Sequence, residues 1–433
     1  MNLELLIVLI SIIGLLLLCL GSTITVGVSL IIIAMLSFIL FTDSAPLPIL
    51  PNILWNQTNS STMMALPLFI LMGEILFRSR ISENLFKGLS PWITFLPGRL
   101  IHVNIIACGL FAAVSGSSAA TTATVGKITL PELFKRNYNR SLSIGTLAGA
   151  GTLGFLIPPS ILLIIYGIMA NVSIGQLFIA GIIPGGLIMV CFIVYVMIRC
   201  ILNPSLAPKT EKYTWDQRIK SLPLVLPVVI LIGIVLGSIY TGWATPTEAA
   251  AVGVLGSLLF AIVSRSMTKE AFKDAVLGAV KTTGMIMLIV FGAYYLTSAV
   301  AYIGIPDKMT EFIATLGLSG YTLILVLTLM YIILGSLLDG FSIIVLTLPI
   351  ALPLITSAGF DSLWFGIFLI IMIEIAQITP PIGFNLFVIN GITTDNVAKI
   401  AKSALPSLLL LLVVVVLMTV YPQFIYWLPN LMM

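Results

Sequence analysis

The chain has 433 residues, of which 59% are hydrophobic and 8% are charged, with a formal net charge of +4. A mean hydropathy of +1.19 excludes a soluble globular protein, in which about 25% of residues are usually charged. Apolar runs close to the ~20 residues that cross a bilayer recur throughout, so the sequence predicts an all-α, polytopic membrane protein and implies no nucleic-acid partner.

Ten apolar segments are predicted to span the bilayer. The first lacks the basic leader and small-residue cleavage site of a signal peptide, so we expect it to be retained. The predicted spans lie near residues 3–20, 23–41, 62–78, 142–170, 176–199, 222–240, 246–264, 283–303, 362–391 and 403–421. Two further stretches, near 99–134 and 308–355, have a polar, Gly-rich middle and predict helical hairpins that enter and leave the membrane on one side.

The basic residues give the orientation of the chain. If the hairpins do not cross, every Lys and Arg except Lys127 and Lys308 falls on one side, which is then the cytoplasmic side. The two hairpins open from opposite sides, and both chain ends are expected outside. The predicted organisation is a first repeat at 1–202, a polar cytoplasmic linker at 203–221 and an inverted second repeat at 222–433. A charged amphipathic stretch at 264–284 predicts an arm along the membrane surface.

One pattern occurs twice, once in each repeat. A polar break is followed about forty residues later by a Pro-Pro pair: SGSSAATTA leads to GFLIPPSI, and GSLLDGFSI leads to ITPPIGFNLF. The prolines are separated by a constant offset, since 380 minus 158 and 381 minus 159 both equal 222. Broken helices in a bilayer need protein or a water-filled cavity around the freed backbone, and inverted repeats with such breaks are typical of secondary transporters.

The two hairpin tips are the first candidates for an ion site. Ser115, Gly116, Ser117 and Ser118 combine small residues with hydroxyl and carbonyl oxygens, which suits a dehydrated alkali cation such as Na⁺. The alternative is that these small residues only allow close helix packing. Asp339 aligns with Ser117 in the second repeat; a carboxylate at membrane depth indicates a functional site, although an ion pair or a helix cap would also explain it.

The Pro-Pro breaks supply matching oxygens and backbone freedom. These secondary sodium candidates are Gly154 and Ser160 in the first break, and Thr379, Gly383 and Asn385 in the second. Glu374 is also expected to be buried, but it lies in a regular apolar helix outside the duplicated breaks. Structural pairing and function stay equally open for it.

The chain resembles the large membrane subunits of tripartite ATP-independent periplasmic (TRAP) transporters, the DctM-like family. The resemblance covers nearly the whole chain, through SGSSAATTATVGKITLPELFKR, GTLGFLIPPSI, IAGIIPG, GWATPTEAAAVG, GSLLDG and ITPPIGFNLFV in order. It implies a sodium-coupled importer of an organic acid anion in the bacterial inner membrane, with periplasmic termini. It also implies an elevator mechanism, in which the hairpins and the broken helices 142–170 and 362–391 form the transport domain and the outer helices form the scaffold.

The resemblance further implies two partners and a substrate class. The partners are a small membrane subunit, expected as a separate chain, and a periplasmic substrate-binding protein. The substrate is expected to be a sialic acid or a C4-dicarboxylate. The candidate substrate residues are Ser117, Lys127, Pro159 and Pro381, where Lys127 could instead pair with an acid or extend to the membrane surface.

Other functions are less well supported by the sequence. The lysine at Lys127 lacks the Gly and Ser/Thr spacing of a phosphate-binding loop, and a single histidine, His102, excludes multi-histidine metal catalysis. No enzyme is therefore predicted. The alternative from another class is an ion channel, because re-entrant hairpins lined with oxygens also form selectivity filters.

Overall fold

The computed structural model describes residues 24–42, 47–79, 81–208, 213–315 and 319–432, together with positions 7, 8, 10–12, 14, 15, 18, 19, 22, 45 and 317. Half of the predicted first span, 3–20, therefore lies outside the described residues, as do both terminal residues. All regular secondary structure in the described residues is helical, which confirms the all-α prediction. Seven of these helices are long and apolar enough to cross a membrane.

The first half of the chain contains the first hairpin and the first broken helix. Its helices are α1 (Val26–Phe41), α2 (Ile49–Thr58), α3 (Ser61–Arg78), α4 (Ile81–Ile93), α5 (Ile101–Ser115), α6 (Ser118–Lys135), α7 (Arg140–Thr152), α8 (Ile161–Ala170) and α9 (Ile174–Leu202). Helices α5 and α6 occupy the range predicted for a hairpin at 99–134. Between α7 and α8, a short 3₁₀ turn and the Pro-Pro pair interrupt the predicted span 142–170.

The second half repeats this order. Its helices are α10 (Trp215–Tyr240), α11 (Pro246–Val263), α12 (Lys269–Tyr302), α13 (Ile305–Thr315), α14 (Gly320–Gly335), α15 (Gly340–Ser357), α16 (Ser362–Gln377), α17 (Phe384–Ile392), α18 (Val397–Val420) and α19 (Gln423–Met432). The second hairpin, α14 and α15, begins later than the predicted range 308–355, because the separate helix α13 occupies its start. The span predicted at 362–391 is interrupted between α16 and α17.

The offset of 222 residues relates whole helices as well as motifs. The bounds 118 and 135 of α6 become 340 and 357, which are the bounds of α15. In the same way, α7 starts at 140 and α16 at 362. The amphipathic helices α4 and α13, which the sequence pattern did not predict, stand in corresponding places just before the two hairpins. The structure thus contains two copies of one helical unit.

Two segments differ from the sequence prediction. Helix α10 begins at Trp215, inside the predicted linker 203–221, because Thr214 and Gln217 form a capping box there. The predicted arm at 264–284 and the span at 283–303 form one continuous helix, α12. At its 34 residues and ~1.5 Å per residue, α12 is about 50 Å long and exceeds the ~30 Å hydrocarbon core, so its charged first half continues the span.

The helices pack in two groups. In one, α1 packs on α12, α3 packs on α11 and α12, and α10 packs on α4 and α11. In the other, the hairpins and broken helices pack on each other and on α9 and α18. The groups meet where α3 contacts α5 and α8, where α4 contacts α5 and α6, and where α12 contacts α15. The hairpin tips and helix breaks all belong to the second group.

Candidate functional site

The tip of the first hairpin is a tight turn made of small polar residues. Helix α5 ends at Ser115, and Gly116 adopts the left-handed conformation (φ +57°) that closes the turn and favours glycine. Ser117 then caps α6 by accepting a hydrogen bond from the amide of Ala120 (3.4 Å). The Ser115 hydroxyl lies 2.8 Å from the Thr121 hydroxyl, so a cluster of neutral oxygens forms at the tip.

This tip packs directly on the first helix break. A Cβ atom at Gly154 would lie 2.7 Å from the carbonyl oxygen of Ser117, which only glycine avoids. A Cβ atom at Gly116 would lie 3.1 Å from the carbonyl oxygen of Pro159. Ser160 caps α8, accepting from the amide of Leu163 (3.3 Å), and its hydroxyl donates to the carbonyl of Phe155. The structure therefore brings the predicted residues of the first tip and the first break together.

Asp339 sits at the start of α15, at the tip of the second hairpin. Its carboxylate caps the helix, accepting from the amides of Phe341 (3.1 Å) and Ser342 (3.4 Å) and from the Ser342 hydroxyl. Among the explanations that the sequence left open, a helix cap is therefore present. The side chain is exposed at the protein surface, in contrast with the buried tip residues of the first hairpin.

The second break lies against the second tip, as the first break lies against the first tip. The amide of Ile382 donates to the carbonyl of Ser336 (3.1 Å). The Thr379 hydroxyl donates to the Ile375 carbonyl (2.7 Å), and Gly383, with φ +29°, begins α17 without a side-chain cap. The first N–H groups of α17 thus lack the side-chain oxygen that caps α6, α8 and α15.

The two repeats also contact each other across this region. Ser118 and Asn385 are both fully buried; the Ser118 hydroxyl donates to Asn385 Oδ1 (3.0 Å), and Asn385 Nδ2 lies 2.8 Å from the same hydroxyl. The corresponding pair under the 222-residue offset is Gly340 with residue 163. A Cβ atom at Gly340 would lie 3.0 Å from the Leu162 side chain and 3.6 Å from the Phe155 ring, so the second tip also lies close to the first break.

These contacts gather four helix N-termini in one place. A hairpin tip or a helix break lies at the start of each of four helices, α6, α8, α15 and α17. The contacts above connect the tips with the breaks. Each N-terminus carries roughly half a positive charge from the helix dipole and unpaired N–H groups. The region can accommodate an anionic group through these N-termini and a small cation through the hydroxyl and carbonyl oxygens.

The candidate substrate residues are divided by the structure. Ser117 and Pro159 belong to the contact between the first tip and the first break. Pro381 is exposed beside the second tip. Lys127 lies in the middle of α6 with an exposed side chain, more than two turns from the tip. The structure does not bring Lys127 to the tips.

Several polar residues here were not selected from the sequence. Thr121 contacts Ser115, and Ser342 contacts Asp339; both lie within the quoted polar runs, which is the signal that could have found them. The Thr122 hydroxyl is buried near Gly151 and has no hydrogen-bond partner in the described part of the chain. Both oxygens of the fully buried Glu374 also lack one, so no pairing partner for it is present among the described residues.

Apart from the Asp339 carboxylate, the candidate ligands of the region are neutral oxygens. Among the residues that the structure describes, no group of three or more His, Cys, Asp and Glu side chains could hold a metal ion. His102 lies at the start of α5, where its Nε2 is 2.6 Å from the carbonyl of Pro97, and it is paired with none of the tip serines. A transition-metal site has no basis in this part of the chain, whereas hard oxygen ligands are abundant.

Comparison with known proteins gives consistent matches along the whole chain. The family model described as "Tripartite ATP-independent periplasmic transporter, DctM component" matches residues 13–424. The C4-dicarboxylate TRAP transporter large permease protein DctM of Vibrio cholerae is 31% identical over 98% of this chain and 97% of its own length. The sialic acid TRAP transporter large permease protein SiaM of Vibrio cholerae is 31% identical over 94% of this chain and 95% of its own length.

A solved structure shares the fold at low sequence identity. The crystal structure of the Alcanivorax borkumensis YdaH transporter superimposes with a TM-score of 0.62 at 15% identity. The match covers 86% of this chain and 87% of the other. This likeness concerns the arrangement of helices.

Proposed function

Because the chain belongs to the DctM family of tripartite ATP-independent periplasmic transporters, as their large permease subunit, we propose that it imports an organic acid anion together with sodium ions. The observation that carries this proposal is the meeting of both hairpin tips with both helix breaks in one packed group. An enzymatic activity is not proposed, because the described site is suited to reversible binding of ions.

Sodium would be held at the tips and breaks. In the first half, the hydroxyls of Ser115, Ser117, Ser118 and Ser160 and the backbone at Gly116 and Gly154 offer neutral oxygens in buried or half-buried positions. In the second half, Asp339, Thr379, Gly383 and Asn385 occupy related positions. A buried oxygen without a partner is costly, so the unpartnered Thr122 hydroxyl supports a cation ligand at this place.

The anion would be held by helix N-termini beside the sodium ions. The uncapped start of α17, next to the exposed Pro381, is the best candidate for a carboxylate, since its N–H groups are not occupied by a side chain. Ser117 and Pro159 would contribute from the first half. Lys127 would influence the anion through its charge at longer range, because its side chain is not at the tips. Bound sodium would favour the anion electrostatically, which couples the two.

The packing supports an elevator movement. The hairpins, the broken helices, α9 and α18 would move as one body against α1, α3, α11 and α12. Helix α3 presents Gly73 to the first tip, where a Cβ atom would lie 3.1 Å from the carbonyl of Val114, so no side chain stands between the two backbones at this point. This division assigns α9 and α18, the spans predicted at 176–199 and 403–421, to the moving body rather than to the scaffold.

Two protein partners and a location complete the proposal. The family is tripartite, and we propose a small membrane subunit and a periplasmic substrate-binding protein as the other components. The chain would lie in the bacterial inner membrane with both termini in the periplasm. The named relatives carry a C4-dicarboxylate or a sialic acid, and both substrates bear carboxylates.

Uptake into liposomes tests the proposal. The chain is reconstituted with its small subunit and binding protein, and uptake of labelled succinate and of labelled N-acetylneuraminate is followed with sodium outside. We expect saturable uptake of one of them that needs the binding protein, and exchange with unlabelled substrate from inside. Flux that does not saturate and shows no exchange would contradict a carrier and support a channel.

A further inference from the structure

A cleft on the side of the basic loops is a second polar feature, separate from the hairpin tips. It has a volume of about 490 Å³ and lies among α7, α9 and α18, which all belong to the group of helices that contains the hairpins. Three cations line it, Arg199, Lys399 and Lys402, together with hydroxyls such as those of Tyr195 and Ser403 and the amide of Asn139. No acidic residue is among its lining residues. We propose that this cleft binds the phosphate group of an anionic phospholipid.

The positive charge in the cleft is not balanced within the described chain. Asp395, which pairs with the lining residue Lys399 (2.9 Å), is also engaged by Arg140 (2.5 Å) through its other oxygen. Arg199 and Lys402 have no ion pair within 4.0 Å among the described residues; the Arg199 guanidinium donates to the Tyr195 hydroxyl (3.1 Å). Two of the three lining cations therefore have no acidic partner among the described residues.

Helix dipoles add to this imbalance. Helices α7 and α18 both begin at the cleft, with Asn139 and Asn396 as their N-caps. Lys399 and Lys402 lie in the first two turns of α18, where a cation is repelled by the helix dipole and an anion is favoured. The dipole of α18 therefore adds to the positive potential at the cleft and favours an anion there.

The surroundings of the cleft favour a lipid over a soluble anion. Along α18, Lys402 and Pro406 share a helical face with Leu409 and Val413, which are 54% and 50% exposed. On α9, exposed Ile198 and Leu202 flank Arg199. The charged cleft thus continues into exposed apolar surface along two spanning helices, which matches the headgroup and chains of a phospholipid. Basic pockets between spanning helices are known to bind such headgroups.

The inner end of the cleft is closed, so the cleft is not a route through the protein. A Cβ atom at Gly149 would lie 2.5 Å from Ser407 Cβ and 3.0 Å from the Phe192 ring, which brings α7, α9 and α18 into contact there. The Ser407 hydroxyl also donates to the carbonyl of Gly145 (3.0 Å). A bound headgroup would thus hold three helices of the hairpin group together at the membrane surface.

Lipid retention by the purified full chain tests the proposal without any transport measurement. Native mass spectrometry compares retention of phosphatidylglycerol with that of phosphatidylethanolamine, for the natural chain and for the double variant R199Q/K402Q. At about 1 kcal/mol per basic residue near a membrane surface, the variant should retain phosphatidylglycerol about 30-fold more weakly, which is ~2 kcal/mol. The natural chain should prefer phosphatidylglycerol.

Controls separate charge, folding and the source of the phosphate. The variant K273Q/K281Q removes two exposed cations from α12 and should behave like the natural chain, as should R199K, which keeps the charge. Equal retention of the two lipids, or an unchanged R199Q/K402Q variant, would overturn the proposal. Displacement of phosphatidylglycerol by millimolar inorganic phosphate would show that the cleft takes a soluble anion, and would also overturn it.

Discussion

The contact between Gly154 and the Ser117 carbonyl gives the sharpest test of the site. A methyl group in Gly154→Ala would lie 2.7 Å from backbone atoms of Ser117 and 2.9 Å from the Ser118 amide nitrogen. Normal contact requires at least about 3.4 Å, so the first hairpin tip must move by roughly 0.7 Å, and overpacking of this kind costs ~1–3 kcal/mol. If that strain falls on the sodium-bound state, the sodium concentration for half-maximal uptake rises about 5- to 150-fold.

The assay is sodium-dependent anion uptake into liposomes, normalised to the amount of folded protein measured by size-exclusion chromatography. Gly186→Ala, on α9, is the matched control, because a Cβ atom there meets nothing within 4 Å and alanine favours a helix by up to ~1 kcal/mol. The control should keep the natural sodium dependence. Natural sodium dependence in folded Gly154→Ala as well would refute the assignment of this contact to the ion site.

Three further predictions concern polar contacts. Ser118→Ala and Asn385→Ala should each lower the free energy of unfolding by about 1–3 kcal/mol, because each leaves a buried partner unsatisfied. The double variant should lose less stability than the sum of the two single variants. Additive losses would show that the two side chains do not interact. Asp339→Asn keeps a good helix cap but removes the charge, so uptake should fall at least about tenfold; unchanged uptake would leave the side chain only a capping role. Burial alone would raise the pKa of Asp395, yet hydrogen bonds and charges from its two cations outweigh this and lower it. A lowered pKa in the folded state stabilises the protein above the ordinary aspartate range, and this stabilisation is lost as the pH falls through the folded value. Asp395→Asn should therefore lower the melting temperature at pH 7 and have a decreasing effect below about pH 4. A difference in melting temperature that does not depend on pH would contradict this.

The sequence predicted the repeat because its signals are local. Small polar runs and Pro-Pro pairs interrupt apolar helices, and the bounds of α5 and α6 follow within two residues of the predicted hairpin at 99–134. The residues of the two polar motifs also lie at the hairpin turns, where the pattern predicted them. Helices α4 and α13 were missed because amphipathic segments of 13 and 11 residues are too short to resemble spans.

Contacts between distant segments could not be predicted from one sequence. Ser118 and Asn385 are 267 residues apart, and no pattern in either segment specifies the other. The exposure of Asp339 depends equally on what packs beside the second tip. The basic cleft needs side chains from three helices, so its cations appear in the sequence only as ordinary members of the charged loops.

The continuous helix α12 shows how a polar signal can be misinterpreted. The corresponding residues of the first repeat break between α2 and α3 at Asn59, whereas the second repeat has Lys281 at that place, inside a helix. Lysine is a good helix former, and asparagine favours turns and caps. The charged composition of 264–284 therefore did not require a separate arm, because the helix continues from it into the apolar half.

Accumulation of the anion against its own gradient, driven only by sodium, tests the central claim most directly. The transporter is reconstituted into liposomes with the binding protein, and labelled substrate is present at the same concentration inside and outside. A tenfold inward sodium gradient is then imposed. Each coupled sodium ion then contributes ~1.4 kcal/mol, which supports about tenfold accumulation of the anion when transport moves no net charge. The account predicts net accumulation that collapses when a sodium ionophore is added. Equal substrate concentrations throughout, with or without the ionophore, would contradict sodium coupling.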